Sequence, residues 1–225
     1  MKLLAVPTRR ELNPVRKVLD LVEDKSSPIP LFRAVNHPNL KIVLCGMGAT
    51  HTAISLSHCL SIERFQKVIL IGVAGIHPRS QCSPGDLVGC LSETYLRLGS
   101  VVNDQYEDLT KRYCLDPDQR IKSSFQTLVP KTLRSTIPWR HFGTSDWITS
   151  TAQDLEFLDH FHPYIEVENM EGASAAHVCQ VYDCPLVEIR AVVNYLGNRD
   201  PRTWSWKAAD MELQRVSHWI LKDSL

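Results

Sequence analysis

Three polar residues of this sequence stand beside apolar segments and carry side chains suited to acid–base and hydrogen-bonding chemistry. Glu171 begins the small-residue run 172–176, Asn194 ends the apolar segment 188–193, and Glu11 lies about one helical turn beyond the first apolar segment. In open α/β sheets, ligands bind at the carboxyl ends of strands. We therefore expect Glu171 and Asn194 to face one pocket, whereas Glu11 taken alone also fits a solvated helix position.

The setting of Glu171 and the chemistry of Asn194 indicate what such a pocket would bind. Met170, Gly172 and Ala173 make the surroundings of Glu171 crowded and mostly apolar, where an unpaired carboxylate is costly. Glu171 should therefore hydrogen-bond a partner, for which a pair of sugar hydroxyls is suitable. A side-chain amide offers a donor and an acceptor, which suits the O6 and N7–H edge of a 6-oxopurine. Asn194 also fits a simple cap at a strand or turn.

Two pairs of glycines follow predicted strands. Gly46 and Gly48 follow one strand, and Gly72 and Gly75 follow the next. Each pair alone is explained by a tight turn, and neither continues into a dinucleotide-binding or phosphate-loop motif. As two turns at adjacent strand ends, they favour a site where the backbone approaches a flat ligand.

The composition indicates a neutral globular chain. Its 225 residues include 25 Lys+Arg and 25 Asp+Glu, without a basic stripe for nucleic acid or an apolar segment of membrane-spanning length. Residues 1–7 contain too short an apolar run for a signal peptide. The seven cysteines form no CxxC pair, so we expect reduced thiols in a cytoplasmic protein, with no metal or cofactor.

Apolar runs alternate with helical patterns, which predicts an α/β fold with a largely parallel central sheet. No domain boundary is visible, so residues 1–225 are expected to form one domain. Residues 95–138 are polar and irregular and are expected to cover a site or contact another subunit. The predicted strands are 3–6, 41–45, 68–71, 87–91, 142–150 and 186–193; the predicted helices run from the N-cap Thr8 to about Val22 and over about 49–60, 171–181 and 208–221.

Three tryptophans have two interpretations each. We expect Trp147 to lie in the core, with a stack on a base as the alternative. Trp204 and Trp206, near Asp200, fit either a lid or the boundary of the last helix.

The order of the motifs resembles that of a known family, the purine nucleoside phosphorylase/nucleosidase superfamily. The resemblance spans nearly the whole chain and implies a three-layer α/β/α domain with a mixed sheet, a purine nucleoside as ligand, and a homodimer. The motifs that carry it are Pro7-Thr8-Arg9-Arg10-Glu11, Gly46-Met47-Gly48, Gly72-Val73-Ala74-Gly75, Pro84-Gly85-Asp86, Thr144-Ser145-Asp146, Met170-Glu171-Gly172-Ala173 and Arg190-Ala191-Val192-Val193-Asn194.

Within that superfamily the chain is most similar to nucleosidases, in particular the futalosine hydrolases of menaquinone biosynthesis and the methylthioadenosine/S-adenosylhomocysteine nucleosidases. The resemblance implies that Glu11 activates water, that Glu171 binds the ribose hydroxyls and that Asn194 contacts the base. It also implies substrate contacts from Val73, Ala74, Gly75, Trp147, Ile148, Thr149 and Met170.

Two comparisons with the superfamily bear on the reaction. Asn194 replaces an aspartate of the methylthioadenosine/S-adenosylhomocysteine nucleosidases, and an amide stabilises a leaving base only by hydrogen bonding. Hypoxanthine is therefore the expected leaving base, with adenine as the alternative. The related phosphorylases place an arginine in the strand that here reads Val68-Ile69-Leu70-Ile71. Hydrolysis is thus expected, although Arg9 and Arg10 remain candidates for anion binding. A phosphorylase and a non-catalytic nucleoside sensor are the remaining alternatives.

Overall fold

The computed structural model of the chain describes residues 1–109, 122–222 and 225, and every structural statement below concerns these residues. None of their helices is long and apolar enough to cross a membrane. The helices are α1 (Arg9–Arg16), α2 (Ala49–Ile62), α3 (Ala152–Phe161), α4 (Gly172–Val181) and α5 (Trp206–Leu221). The strands are β1 (Lys2–Val6), β2 (Leu21–Glu23), β3 (Leu31–Ala34), β4 (His37–Leu44), β5 (Lys67–Ile76), β6 (Leu87–Tyr95), β7 (Gly99–Val102), β8 (Gln105–Asp108), β9 (Ser124–Gln126), β10 (Trp139–Thr144), β11 (Val167–Asn169) and β12 (Leu186–Tyr195).

A mixed sheet organises the fold. Its strands follow the order β11-β10-β6-β12-β5-β1-β4-β3-β2, and β9 pairs with β6. The centre, β4-β1-β5-β12, is parallel, whereas β2 and β3 add an antiparallel edge. Because β11 also pairs with β5, part of the sheet closes into a cycle of paired strands, in the order β5, β12, β6, β10, β11 and back to β5. This α/β architecture with a mixed sheet confirms the predicted fold class.

The helices cover both faces of the sheet, which explains the apolar character of its strands. Residues alternate between faces along a strand, so Leu4 and Val6 face the core beneath α1 and α5. Leu3 and Ala5 face the opposite core, beneath α2 and α4. Strands buried on both faces are expected to be continuously apolar. The described cysteines are free and buried, whereas Cys114 lies outside the described residues.

The first helix is shorter than its apolar pattern predicted. Thr8 is its N-cap as expected, but α1 ends at Arg16, where the amide of Lys17 bonds the carbonyl of Pro14. Val22, predicted to lie on the buried face of this helix, is half exposed in β2. Pro14 has no amide proton to bond the preceding turn, and β2 takes the following residues by pairing with β3.

Three further boundaries differ from the sequence expectations. The strand predicted over 142–150 ends at Thr144, and β12 continues through Asn194 to Tyr195. The glycines Gly72 and Gly75 lie inside β5 rather than in a turn after it. Moreover, β1 separates β4 from β5, so the two glycine motifs are not at adjacent strand ends. Residues 95–138, predicted as irregular, contain β7, β8 and β9, and 110–121 lie outside the described residues.

Candidate active site

A cavity of about 410 Å³ opens at the carboxyl ends of β1, β4, β5 and β12, within the usual size range of small-molecule sites. It is mostly apolar and contains a few convergent polar groups. Its lining consists of Pro7, Thr8, Arg10, Glu11, Met47, Val73, Ala74, Gly75, Ile148, Glu168, Asn169, Met170, Glu171, Val193, Asn194, Leu196, Arg199, Trp204 and Trp206.

Glu11 lies at the floor of this cavity as a buried carboxylate rather than on a solvated helix face. Glu11 is 5% exposed, because it lies on the buried side of the first turn of α1 and lines the cavity there. The Oε1 atom accepts a hydrogen bond from the Val73 amide at 2.8 Å, and Oε2 accepts one from the Thr8 hydroxyl. Burial raises the pKa of Glu11, while the Thr8 and Val73 hydrogen bonds partly offset the shift.

Arg190 on β12 holds the acidic groups together, a role that the sequence motif alone did not indicate. Its fully buried guanidinium donates to Glu188 Oε1 at 2.9 Å and to Glu171 Oε2 at 3.1 Å. Burial disfavours the charged guanidinium, but the neighbouring carboxylates, first Glu188 and Glu171, outweigh it and raise the pKa of Arg190. Arg190 is therefore a permanent cation within the site.

Gly72 shows why the strand glycines are needed here. A Cβ at Gly72 would lie 2.6 Å from Arg190 Nη1 and 2.7 Å from Glu11 Oε1. A strand glycine often marks such a close approach. The motif Gly-x-x-Gly thus provides space for side chains from β12 and α1 rather than a turn.

Glu171 is the N-cap residue of α4, and its carboxylate contacts the N-cap residue of α2 beside the cavity. Its Oε1 atom accepts a hydrogen bond from the Gly48 amide at 3.0 Å, next to the start of α2. Its backbone amide donates to Asn169 Oδ1 at 2.8 Å, and that oxygen also accepts from Arg190 Nη2 at 3.2 Å. The carboxylate of Glu171 is consequently held in place by the Gly48 amide and the Arg190 guanidinium, while Asn169 fixes its backbone.

Asn194 faces the same cavity at a local irregularity of β12. The register with β5 shifts between Val192 and Asn194, and such bulges re-aim side chains beside functional sites. The Nδ2 atom donates to the Tyr195 carbonyl at 2.8 Å and more weakly to the Asn198 carbonyl at 3.5 Å. These acceptors orient the amide, so that Oδ1 is the atom offered to a ligand.

Most of the residues singled out from the sequence share this cavity. Glu11, Glu171 and Asn194 line it together with Val73, Ala74, Gly75, Ile148 and Met170. Trp147 and Thr149 are not in the lining. The Trp147 side chain is 62% exposed, which excludes the core position, and its Nε1 donates to Asp154. Thr149 is turned toward Glu168, which accepts hydrogen bonds from its amide and hydroxyl.

Further residues line the cavity besides those assigned as substrate contacts from the sequence. Trp204 and Trp206 flank the start of α5, and an arginine stacks on each of them: Arg199 at 4.9 Å from the Trp204 ring and Arg10 at 4.8 Å from the Trp206 ring. Arg10 also pairs with Asp210 at 2.6 Å. These tryptophans form the boundary of the last helix and a wall of the cavity, whereas their role as a lid stays a prediction. Their proximity to Asp200 in sequence was the available signal.

We expect removal of the Thr8 hydroxyl to move the acid limb of activity to higher pH. If Glu11 acts as an ionised base, activity is lost as pH falls through its pKa, which burial raises and the Thr8 hydrogen bond lowers. Thr8→Val should therefore shift the acid limb of kcat/KM to higher pH and destabilise the protein by about 1 kcal/mol through loss of the α1 cap. Thr8→Ser keeps the hydroxyl and should retain the original limb; the same limb in Thr8→Val would refute the role of this hydrogen bond.

The fold and the cavity define an α/β protein with a buried acid–arginine cluster at the strand ends, and the comparisons name its family. The model of the Phosphorylase superfamily matches residues 32–222. The chain therefore belongs to this superfamily.

Individual relatives agree with that family. A curated futalosine hydrolase from Streptomyces coelicolor is 36% identical over 61 residues, which are 27% of this chain and 26% of that protein; the match thus spans about a quarter of the relative's length. The solved futalosine hydrolase of Helicobacter pylori superimposes with a TM-score of 0.79 at 17% identity, covering 100% of this chain and 97% of that one. A Streptococcus pneumoniae 5'-methylthioadenosine/S-adenosylhomocysteine nucleosidase superimposes with a TM-score of 0.78 at 17% identity, covering 98% of this chain and 97% of that one.

Proposed function

We propose that this protein hydrolyses the N-glycosidic bond of a purine nucleoside, with futalosine as substrate and hypoxanthine as the released base. The single observation that supports this most is the convergence of Glu11, Glu171 and Asn194 on one cavity. The curated and structural relatives named futalosine hydrolase support the choice of substrate. The product besides hypoxanthine would be dehypoxanthine futalosine, an intermediate of menaquinone biosynthesis.

Cleavage of this bond passes through a ribosyl group with positive charge and a departing purine with negative charge. Glu11 would take a proton from the attacking water, because a buried carboxylate with a raised pKa is a suitable base near neutral pH. Glu171 would accept hydrogen bonds from the ribose hydroxyls. Its charge, with that of Glu11, would stabilise the cationic ribosyl group, a kind of interaction worth about 10²–10³ in rate.

Asn194 would contact the leaving purine. Its Oδ1 atom makes no hydrogen bond within the described part of the chain, whereas Nδ2 is held by the Tyr195 carbonyl at 2.8 Å. Oδ1 is therefore available to accept a hydrogen bond from N7–H of the departing base once a solvent water has protonated N7, because the nucleoside itself carries no proton there. An amide supplies no proton of its own, so the base must leave without acid catalysis from this position. This requirement favours a 6-oxopurine, in which the negative charge is shared with O6.

Water rather than phosphate is the proposed nucleophile. Two cations nearest the acidic groups are already neutralised: Arg190 by Glu171 and Glu188, and Arg10 by Asp210. A third, Arg199, stacks on Trp204 at the cavity wall. Binding phosphate beside Glu11 and Glu171 would also place three anionic groups together at an enclosed site, which is costly.

The direct test is base release from inosine, futalosine, 6-amino-6-deoxyfutalosine and methylthioadenosine, with and without phosphate. The proposal expects hypoxanthine from futalosine at a rate independent of phosphate. Faster release of adenine from the amino substrates would instead identify an adenine-releasing nucleosidase. Strict dependence of the rate on phosphate would identify a phosphorylase. Binding without release of any base would identify a nucleoside sensor.

Changing the amide at position 194 to an acid should change the preferred base. In Asn194→Asp, the Tyr195 and Asn198 carbonyls that now accept from Nδ2 would disfavour an ionised carboxylate. The single O–H of the protonated carboxyl can turn from these carbonyls to the purine and donate its proton to the leaving base. We expect the ratio of adenine to hypoxanthine release, compared by kcat/KM, to rise by about 10². Asn39→Asp, on an exposed position of β4, makes the same substitution outside the cavity lining and should leave the ratio unchanged. An unchanged ratio in Asn194→Asp would refute base selection by this residue.

A further inference from the structure

Behind Arg190 lies a second pair of acidic residues that the proposed reaction does not use. Glu93 on β6 and Glu188 on β12 are both fully buried, and their carboxyl oxygens lie within 4.8 Å of each other and of Cys90 Sγ. Two ionised carboxylates at such a distance and without water would repel strongly. Burial, followed by the charge of Glu188, raises the pKa of Glu93 well above its ordinary value.

The two carboxyls belong to a closed ring of hydrogen bonds. Asn169 Nδ2 donates to Glu93 Oε1 at 2.5 Å, and Asn169 Oδ1 accepts from Arg190 Nη2 at 3.2 Å. Arg190 Nε donates to Glu188 Oε1 at 2.9 Å. The contact between Glu188 and Glu93 would close the ring, but two ionised carboxylates are both acceptors and cannot form a hydrogen bond. A proton on one of the two carboxyls provides the donor that this hydrogen bond needs.

One carboxyl oxygen of this acidic pair is buried without a partner among the residues that the structure describes. Glu188 Oε2 is buried and has no donor among the described groups when all carboxylates are counted as ionised. A protonated Glu93 would supply a donor to the Glu188 carboxylate, and a hydrogen bond with Glu93 is among the contacts that act on Glu188. The balance of charge also favours a neutral Glu93. Within the described cluster, the single guanidinium of Arg190 already has three carboxylates around it, those of Glu11, Glu171 and Glu188.

The ring is connected to the catalytic groups by Asn169 and Arg190. Asn169 Oδ1 accepts from the backbone amides of Glu171 and Gly172 at 2.8 and 2.7 Å, which fixes the start of α4. Arg190 Nη1 donates to the Glu171 carboxylate at 3.1 Å. The ring therefore holds both the backbone and the side chain of Glu171.

We propose that Glu93 and Glu188 hold one proton between them and that this pair positions Arg190 and Asn169, and through them the catalytic Glu171. The positioning claim rests on the proposed nucleosidase function, whereas the shared proton does not. Glu93 and Glu188 are thus positioning residues that do not touch the substrate.

The shared proton makes stability depend on pH in a defined direction. In the unfolded chain the Glu93 carboxyl ionises at about pH 4.3, whereas in the folded protein, where its pKa is raised, it keeps its proton to higher pH. The folded state then binds more protons than the unfolded state, so stability falls as pH rises above the unfolded pKa. Glu93→Gln has no proton to lose and retains an amide donor toward Glu188. Its melting temperature relative to that of the wild type should therefore rise by about 5 °C between about pH 5 and pH 8.

Glu63→Gln is the matched control for this measurement, since Glu63 pairs with Lys41 outside the cavity. Its melting temperature should follow that of the wild type across the pH range. A difference between Glu93→Gln and the wild type that does not change with pH would overturn the shared proton. A melting temperature of the wild type that falls on addition of a chelator would also overturn it, because a bound cation at Cys90, Glu93 and Glu188 would then take the place of the proton.

The positioning claim is tested by comparing single and double variants in base release. Each single change, Glu93→Gln or Glu188→Gln, leaves one negative charge and one donor at the link, so kcat should stay within about threefold of the wild type. The double variant leaves Arg190 without a charged partner in the pair, and its kcat should fall about 100-fold with a much smaller change in KM. Single variants as impaired as the double one would refute the claim. Absence of base release by the wild type would refute the proposed function, while the melting temperatures still decide the shared proton.

Discussion

Glu11→Gln is expected to lower kcat for base release by at least about 10³-fold while leaving the binding of hypoxanthine intact. The amide fits the existing contacts: its oxygen accepts from the Val73 amide, and the Thr8 hydroxyl can turn to accept from the new NH₂ group. The variant thus removes the proton-accepting charge without a new cavity. The measurement is steady-state base release together with calorimetric titration of hypoxanthine.

Glu156→Gln provides the control for this change, because Glu156 lies exposed on α3. It should retain full activity under the same conditions. A Glu11→Gln protein that keeps more than about a tenth of the wild-type kcat would show that another group activates water. Loss of hypoxanthine binding together with activity would instead point to a damaged cavity.

Gly172→Ala is expected to reduce the free energy of unfolding by about 3 kcal/mol, although alanine is the better helix former. A Cβ at this position would lie 1.9 Å from Glu93 Oε1 and 2.7 Å from Glu188 Oε1. Neither carboxyl can move away without breaking the ring that includes Asn169 and Arg190. Chemical denaturation at neutral pH measures the effect.

Gln180→Ala, on an exposed position of the same helix, separates the steric effect from helix propensity. It should change stability by less than about 0.5 kcal/mol. A stability of Gly172→Ala equal to or above that of the wild type would mean that the backbone of α4 is free to shift away from Glu93. The close packing of this helix on the acidic pair would then be wrong.

Much of the architecture was predictable because the local patterns agree with the tertiary structure. The strands around Leu3–Val6 and Leu186–Val193 and the helix after Glu171 follow directly from apolar runs and small residues. Val22 shows the limit of this approach. Its spacing fits the apolar face of α1, but pairing with β3 places it in β2, and such tertiary pairing is invisible in a single segment.

For the site, the polar residues at the ends of strands were recognisable, but their connections were not. Glu11, Glu171 and Asn194 are distinguished by position and by chemical type, and all three line the cavity. Glu93 and Asn169 gave no comparable signal, since each lies in an ordinary strand segment. Their importance comes from a ring of contacts between β6, β11 and β12, which only the folded arrangement creates. The assignment of roles to these residues stays a prediction until the variants are measured.

The cycle of paired strands also has a consequence for the order of folding. β5 must pair with β11 and β12, which the ribosome delivers roughly a hundred residues later, and contacts so distant in sequence form slowly. Until they form, Glu93 has neither Asn169 nor Glu188 to bind. A chain that stops before β12 therefore lacks Glu188, Arg190 and Asn194, so the buried acid–arginine cluster is complete only after the last central strand has paired with β5.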